Sequence, residues 1–321
     1  MKKCLVTGGA GFIGSNLVER LIRDGVQVRV LDNLSTGLLE NLEPFRRDID
    51  FVQGDVRDLN ALQEVMSEVE VVFHQAAEVS VPRSVEDPVE TAIVNDLGTL
   101  QILETARRAG VKRVVLASSC AVYGDLPPLP KKEDMETRPL SPYAASKLHG
   151  ETYGYLYNDL YGLETVCLRY FNVYGPKQDP SSPYSGVISI FMDKAGRGDL
   201  PTIYGDGEQY RDFVYVADVV QANLLAAHKE GVSGLVINVG TGTSVSVNSL
   251  WGDISLLAGM EGDFERTEAR PGDIRESVAD ISLARQMLGY EPQYSFQEGI
   301  KLTWEWYRSR GSRQKRLGTR D

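Results

Sequence analysis

Short apolar runs recur through the first half of the chain, at residues 4–6, 26–31, 50–53, 69–73 and 111–117. Longer stretches with apolar positions at helical spacing lie between and after them, among them 15–23, 88–108 and 140–161. Runs this short and this apolar predict strands buried on both faces, and the alternation over residues 1–170 predicts right-handed βαβ units in a doubly wound parallel sheet. Ligands of such a sheet gather at the carboxyl ends of the strands. From about residue 172 the alternation breaks. Prolines and glycines cluster between Gly175 and Gly186, which predicts excursions into a smaller mixed α/β lobe. Residues 246–259 and 281–288 are expected to be helices of that lobe. Asn238-Val239-Gly240-Thr241-Gly242 reads as a strand and structural turn, and Trp304 and Trp306 as core anchors on a terminal helix. The expected division is 1–171 for the first domain with returning segments near 211–242, 172–310 for the smaller lobe, and 311–321 as a polar, basic tail that frays.

At 321 residues the chain is long enough for a large core, and 42% hydrophobic with 25% charged residues is ordinary for a globular protein. A net charge of −11 argues against a general nucleic-acid role, although a local arginine pocket can still take an anion. Three widely spaced cysteines, Cys4, Cys120 and Cys167, fit reduced thiols and a cytoplasmic setting. His74, His149 and His228 have no metal-ligand spacing. No run of about 18 apolar residues exists to span a membrane, the N-terminus reads as strand and loop rather than a signal peptide, and there is no internal repeat.

The first strand runs into Thr7-Gly8-Gly9-Ala10-Gly11-Phe12-Ile13-Gly14 and then a helix. Glycines at 8, 11 and 14 permit a tight turn, close backbone approach to a pyrophosphate and tight helix–strand packing, and the helix N-terminus favours the phosphates. The second strand ends at Asp32-Asn33, an acidic position suited to a ribose diol and hostile to a 2′-phosphate, so NAD is favoured over NADP. Strand, glycine loop, helix and acidic residue together predict a Rossmann-type nucleotide domain. Asp55, at the end of the third strand, could reach an adenine amine or equally cap the next helix. Gln75-Ala76-Ala77 closes the fourth strand with residues small enough for a cofactor to lie close.

Tyr143 and Lys147 lie four apart in Ser141-Pro142-Tyr143-Ala144-Ala145-Ser146-Lys147, on one face of a helix. An ammonium beside a phenol favours the phenolate, so the tyrosine is expected to titrate below its usual value of about 10 and to act as a base toward a hydroxyl. Residues 118–124, Ser-Ser-Cys-Ala-Val-Tyr-Gly, end the fifth strand. The glycine loop, this serine-rich strand end, Ser-Pro-Tyr-x-x-Ser-Lys and Leu168-Arg169-Tyr170-Phe171-Asn172-Val173-Tyr174-Gly175 together resemble the extended short-chain dehydrogenase/reductase family over almost the whole chain. Within it the chain is most similar to nucleotide-sugar 4-epimerases of the UDP-glucose and UDP-N-acetylglucosamine type.

That resemblance implies roles. Ser119 would hydrogen-bond the sugar O4, Tyr143 would be the base, and Lys147 would bind the nicotinamide ribose and lower the tyrosine pKa. Cofactor contacts are implied at Gly8, Gly11, Phe12, Ile13, Gly14, Asp32, Asn33, Ser35, Gly37, Asp55, Val56, Gln75, Ala76, Ala77 and Tyr170, besides Tyr143 and Lys147. Substrate contacts are implied at Ser80, Asn172, Val187, Tyr204, Arg211, Arg270, Asp273 and Ser277, with Ser119 and Tyr143. Arg211 and Arg270 would clamp the diphosphate of a UDP-sugar. At the position of Ser277 a tyrosine restricts such sites to glucose and galactose, whereas a small residue leaves room for an N-acetyl group. Related dehydratases and decarboxylases carry acids where this chain has Cys120 and Ala121, and neither of these can transfer a proton in that way. The implied reaction is therefore epimerisation by transient oxidation at C4. The alternatives are a lyase of the same fold and a non-catalytic NAD-binding sensor, the latter at odds with an intact Ser119/Tyr143/Lys147 set. The family's four-helix packing implies a homodimer, although from the sequence alone the helices at 88–108 and 140–161 serve as well to cover the sheet of a monomer.

Overall fold

The computed structural model describes residues 1–179, 186–269 and 275–317. Six strands come first: Lys3–Thr7 (β1), Gln27–Asp32 (β2), Ile49–Gln53 (β3), Val71–His74 (β4), Arg113–Ser119 (β5) and Glu164–Tyr170 (β6). Short strands follow at Asn172–Tyr174 (β7), Thr202–Tyr204 (β8), Tyr210–Arg211 (β9) and Phe213–Tyr215 (β10), before Val236–Val239 (β11) returns to the main sheet. That sheet has the order β11-β6-β5-β4-β1-β2-β3, and every pairing in it is parallel. The order reverses between β1 and β4, so a crevice opens where Thr7 and His74 end their strands. The remaining strands, Val245–Ser246 (β12), Glu265–Thr267 (β13) and Glu276–Ser277 (β14), pair within the smaller lobe in the orders β12-β9-β14 and β13-β8.

Successive strand residues feed opposite faces, and both faces are covered. On one, Cys4, Val6, Val30, Phe73, Val115 and Leu168 pack with Leu17, Val18 and Leu21 of Phe12–Arg23 (α1). On the other, Leu5, Leu31, Val72, Val114 and Leu116 pack with Leu62 and Val65 of Leu59–Val65 (α2). A parallel sheet buried on both sides accounts for the uninterrupted apolar runs of the sequence. The expected helix over 88–108 is interrupted. Val81–Glu86 (α3) and Pro88–Ala92 (α4) are followed by a π-helical turn at Ile93–Leu97, and only then by Gly98–Ala109 (α5). The inserted turn buries Asn95, whose amide donates to Glu78 O and to Ser146 Oγ, both at 2.9 Å. Asn95 shares this buried face with Thr91 and Thr99, and the widened turn carries it to both partners.

Pro142–Tyr161 (α6) starts where local chemistry dictates. Ser141 caps Ala144 N at 3.1 Å, Pro142 takes the first turn, and Gly162 ends the helix in the left-handed region. Val187–Arg197 (α7), Val216–His228 (α8), Val247–Ala258 (α9), Ser282–Leu288 (α10) and Phe296–Leu317 (α11) complete the chain. The smaller lobe has its own core of Tyr174, Phe191, Phe213, Trp251, Ile300 and Trp304. Trp304 is buried as expected, whereas Trp306 is half-buried and meets Tyr307 edge-on at 5.1 Å. The last helix continues through Leu317, past residue 311 where the sequence predicts a tail.

One buried ion pair fastens α6 to the sheet. Arg169 on β6 donates to both oxygens of Glu151 at 2.8 Å, and each side chain is only 5% exposed. Ser118 Oγ hydrogen-bonds the same carboxylate, and the Arg169 guanidinium lies 4.6 Å from the Tyr123 ring centroid. Removing one member of such a pair strands a buried charge, whereas replacing both with apolar groups does not. Glu151→Leu is therefore expected to cost about 3–5 kcal/mol in urea denaturation. The double variant Glu151→Leu/Arg169→Met is expected to recover most of that loss.

Candidate active site and nucleotide cleft

The glycine loop links β1 to α1 at the crevice. Gly8 has φ +67° and Gly14 packs directly on it. A Cβ at Gly14 would stand 2.1 Å from Gly8 O, and one at Gly8 would stand 2.7 Å from Ala76 N. No side chain caps α1, because its N-cap is Gly11, so the first-turn N–H groups of Phe12, Ile13 and Gly14 suit a phosphate. The Asp32 carboxylate is buried beside this loop and accepts from Ala10 N at 2.9 Å and Leu34 N at 2.8 Å. Burial raises its pKa above the usual carboxylate value, while those two bonds pull it down. Gly37 packs on the same carboxylate, and Ser35 N donates to Asn33 Oδ1 at 3.0 Å. These features fit a dinucleotide: uncapped helix N–H groups, backbone admitted where side chains would clash, and a fixed carboxylate with lone pairs to spare.

Asp55 does not cap the following helix. Asp58 does, accepting from Asn60 N and Ala61 N. Asp55 instead binds Arg57 at 2.8 Å and Asn33 Nδ2 at 2.8 Å, and the Arg57 hydrogen bond holds its carboxyl down at about 2. Val56 is buried under Gly98. Ala76 N donates to Thr7 Oγ1 at 3.3 Å, and Ala77 follows half-buried. Gln75 Nε2 donates to Tyr170 Oη and to Asn223 Oδ1, both at 3.1 Å, so the Tyr170 hydroxyl sits inside a side-chain network.

Ser119, Tyr143 and Lys147 meet at the carboxyl end of β5. Ser119 accepts from Ala121 N at 3.2 Å, which starts a short 3-10 turn at Cys120–Tyr123, and it is also a hydrogen-bond partner of the Tyr143 hydroxyl. Lys147 Nζ donates to Ala117 O at 3.0 Å and lies 5.8 Å from the Tyr143 ring centroid. The acidification of Tyr143 expected from its spacing to Lys147 is not found, and the shift runs the other way. Burial pushes the phenol up to about 12, against the pull of Ser119. Burial also drives Lys147 down to about 8. Both charged forms lose water, and this desolvation outweighs the attraction that their spacing suggests.

Cys120 follows Ser119, its thiol hydrogen-bonded to Ser277 and within the fields of Asp212 and Arg211. Burial pushes it up to about 11, so it stays a neutral thiol. Asn172 donates twice to Asp212 O, through N at 3.0 Å and Nδ2 at 3.1 Å. Arg211 is half-buried on β9, in register with Ser277, and its Nη1 donates to Tyr210 O at 3.0 Å. Tyr204 ends β8 and Val187 opens α7. Ser80 is buried with its hydroxyl capping α3 through Arg83 N at 3.0 Å. Arg270 and Asp273 lie outside the described residues.

Two participants escape the motif reading. Asn223 is a fully buried polar residue among Val219, Val220, Ala222 and Ala226, and its place on the apolar face of α8 is the signal that finds it. Asp212 stands inside the quoted Arg211-Asp212-Phe213 segment, where the arginine draws attention first. Among the described residues there is no group of three or more metal-ligand side chains and no helix long and apolar enough to cross a membrane.

The model of the NAD dependent epimerase/dehydratase family matches residues 4–240. A UDP-glucose 4-epimerase of Mycolicibacterium smegmatis is 44% identical over 313 residues, 96% of this chain and 99% of that protein. The UDP-N-acetylglucosamine 4-epimerase from Methanobrevibacter ruminantium, solved in complex with UDP-N-acetylmuramic acid, superposes with a TM-score of 0.92 at 40% identity, covering 96% and 99% of the two chains. The Thermus thermophilus UDP-glucose 4-epimerase, solved with NAD, gives 0.86 at 41% identity over 95% and 99%. A UDP-N-acetyl-alpha-D-glucosaminuronate decarboxylase of Bacillus cytotoxicus is also similar, at 36% identity over 320 residues, 96% of this chain and 98% of that protein.

His74 records how dry this strand end is. It hydrogen-bonds Thr7 Oγ1 at 2.8 Å and Thr99 Oγ1 at 3.1 Å, and burial, helped by the charge of Lys147, lowers it to about 3. Between about pH 6.5 and 3 the unfolded chain binds this proton and the folded chain does not, so the contribution of His74 is complete above pH 6.5 and lost as the pH falls. Thermal melts of His74→Gln are expected to show a shallower loss of stability across that window than the parent, by up to about 1.4 kcal/mol per pH unit.

Proposed function

The chain belongs to the NAD dependent epimerase/dehydratase family, and on that premise we propose that it is a UDP-sugar 4-epimerase. We take its substrates to be UDP-GlcNAc with UDP-GalNAc and, at the same site, UDP-Glc with UDP-Gal. One observation carries the reading: Ser119, Tyr143 and Lys147 converge at one strand end, and the next position holds a neutral thiol instead of a carboxylate. A 4-epimerase needs one proton-transfer group at O4 and none at C5 or on a carboxylate. The decarboxylase-like reading lacks the acidic pair beside Val122-Tyr123-Gly124.

The cofactor is NAD, which when bound supplies the hydride acceptor and donor at C4. The residues that would hold it are the Gly8–Gly14 loop with the N-terminus of α1 at the pyrophosphate, Asp32 at a ribose diol, and Lys147 at the nicotinamide ribose. Tyr143 takes the O4 proton and later returns it, so the pair of transfers balances with no net oxidation. A phenol pushed up to about 12 keeps its proton until positive charge lies beside it. Ser119 orients O4. Arg211 and Asn172, with Arg270 and Asp273, hold the uridine diphosphate while the 4-keto sugar turns its other face. Tethering the anionic end makes the second transfer effectively intramolecular.

Two finer features belong to the same proposal. Val89, Ile93 and Leu97, 67%, 39% and 44% exposed, line one apolar hollow with Leu100 and with Tyr153 of α6, a face suited to a second copy of the chain. The three cysteines are free thiols, in keeping with a reducing, cytoplasmic setting.

Proton NMR of the anomeric signals tests the reaction directly. With NAD present, UDP-GlcNAc is expected to give rise to UDP-GalNAc, and UDP-Glc to UDP-Gal; if neither product grows in, the epimerase assignment fails. Tyr143→Phe is expected to lower kcat by at least about a hundredfold while its melting temperature stays within a few degrees, and full activity in this variant would remove Tyr143 as the base. Ser277→Tyr is expected to cut turnover of UDP-GlcNAc about tenfold or more while sparing UDP-Glc, because the larger side chain fills the space beside the sugar 2-substituent. An equal loss on both sugars would show that Ser277 is no gate.

A further inference from the structure

Asp212 is fully buried, and its carboxylate is saturated. Oδ1 accepts from Thr241 N at 2.8 Å and Thr241 Oγ1 at 2.7 Å. Oδ2 accepts from Gly242 N at 3.0 Å and Ala279 N at 3.1 Å. All four donors are neutral, and burial raises the pKa of this group while the hydrogen bonds lower it. Four converging donors need the roughly four lone-pair sites of a carboxylate, which an amide cannot offer. The approach is close: a Cβ at Gly240 would lie 2.7 Å from Oδ2.

The backbone of the same residue is equally committed. Asp212 N donates to Ser277 O at 2.8 Å, and Asp212 O accepts from both nitrogens of Asn172. Its neighbour Arg211 pairs in register with Ser277 on β14 and with Val245 on β12. One residue therefore ties β7, β9, β14 and the turn after β11 together. Three of the residues assigned to the sugar nucleotide, Asn172, Arg211 and Ser277, are bonded to it or adjacent to it. None of these hydrogen bonds goes to a residue assigned to the cofactor.

We propose that Asp212 is the positioning residue of the sugar-nucleotide clamp, fixing the placement of Asn172, Arg211 and Ser277 relative to one another without touching the substrate. The inference rests on the UDP-sugar reading above and adds that clamp geometry and cofactor binding are separable. It predicts a split: loss of the carboxylate weakens the grip on the uridine diphosphate and leaves the dinucleotide end as it was.

The test is calorimetric titration of the full chain with UDP and, separately, with NAD, followed by steady-state kinetics on the preferred UDP-sugar. For Asp212→Asn, affinity for UDP is expected to fall tenfold or more and KM to rise in step, with NAD affinity within twofold and kcat within threefold of the parent. Thr241→Val removes a single donor and serves if Asp212→Asn does not melt cooperatively; about threefold weaker UDP binding is then expected, with NAD binding unchanged. UDP affinity within twofold of the parent in a folded variant overturns the proposal, as does a parallel loss of UDP and NAD affinity, which is what a merely structural residue would give. Failure of the parent chain itself to bind UDP would overturn the UDP-sugar reading and this inference with it, an outcome distinct from a parent that binds and a variant that binds equally well.

Discussion

A parallel sheet whose two faces both exclude water has only its ends left for chemistry. Helices cover both faces of this sheet, so each strand must deliver its polar groups at its carboxyl end, in the loop before the chain crosses back. The consequences are visible in the order of the chain. The glycine loop follows β1, Asp32 ends β2, Gln75 follows β4, Ser119 ends β5 and Tyr170 ends β6. Residues from five distant stretches are neighbours because one constraint puts them on one edge. The helix that carries Tyr143 and Lys147 is in turn held against that edge by the Glu151–Arg169 pair, one turn beyond the lysine.

Dryness sets the electrostatics of this edge. His74 stays neutral, Lys147 gives up its proton more readily than a free lysine, and Tyr143 holds its proton more tightly than a free tyrosine. All three shifts have burial as their largest cause. A site arranged in this way favours the neutral forms of its side chains, and any charge placed beside them acts at low effective dielectric, where its influence is greatest.

Much of this was legible in the sequence, and the parts that were not share a cause. The strand runs, the glycine loop and the Ser119, Tyr143 and Lys147 motifs are local patterns, and the structure places them together. Local pattern failed where a long-range partner decides. Of the two roles open to Asp55, an adenine contact or a helix cap, the cap falls to Asp58, while Asn33, 22 residues earlier, and Arg57 bind the Asp55 carboxylate. Spacing alone suggests an acidified tyrosine, but spacing carries no information about desolvation. Asp212 is inconspicuous beside an arginine until its donors arrive from residues 241, 242 and 279. The helix read as continuous over 88–108 is broken for the sake of Asn95, whose partners lie 17 residues before it and 51 after it.

That widened turn at Ile93–Leu97 has a consequence for how the segment can vary. A π-helical turn holds one residue more than the regular pitch allows, and each residue advances a helix by about 100°. Deleting one residue there would restore ordinary winding and leave α4 and α5 facing much as before, but it would remove the widened turn from which Asn95 reaches Glu78 and Ser146. Exchanging side chains at most positions of the segment leaves the winding intact. Its length is therefore under tighter constraint than its composition, and an insertion or deletion would be felt in the loop behind β4 before it was felt in the helix itself.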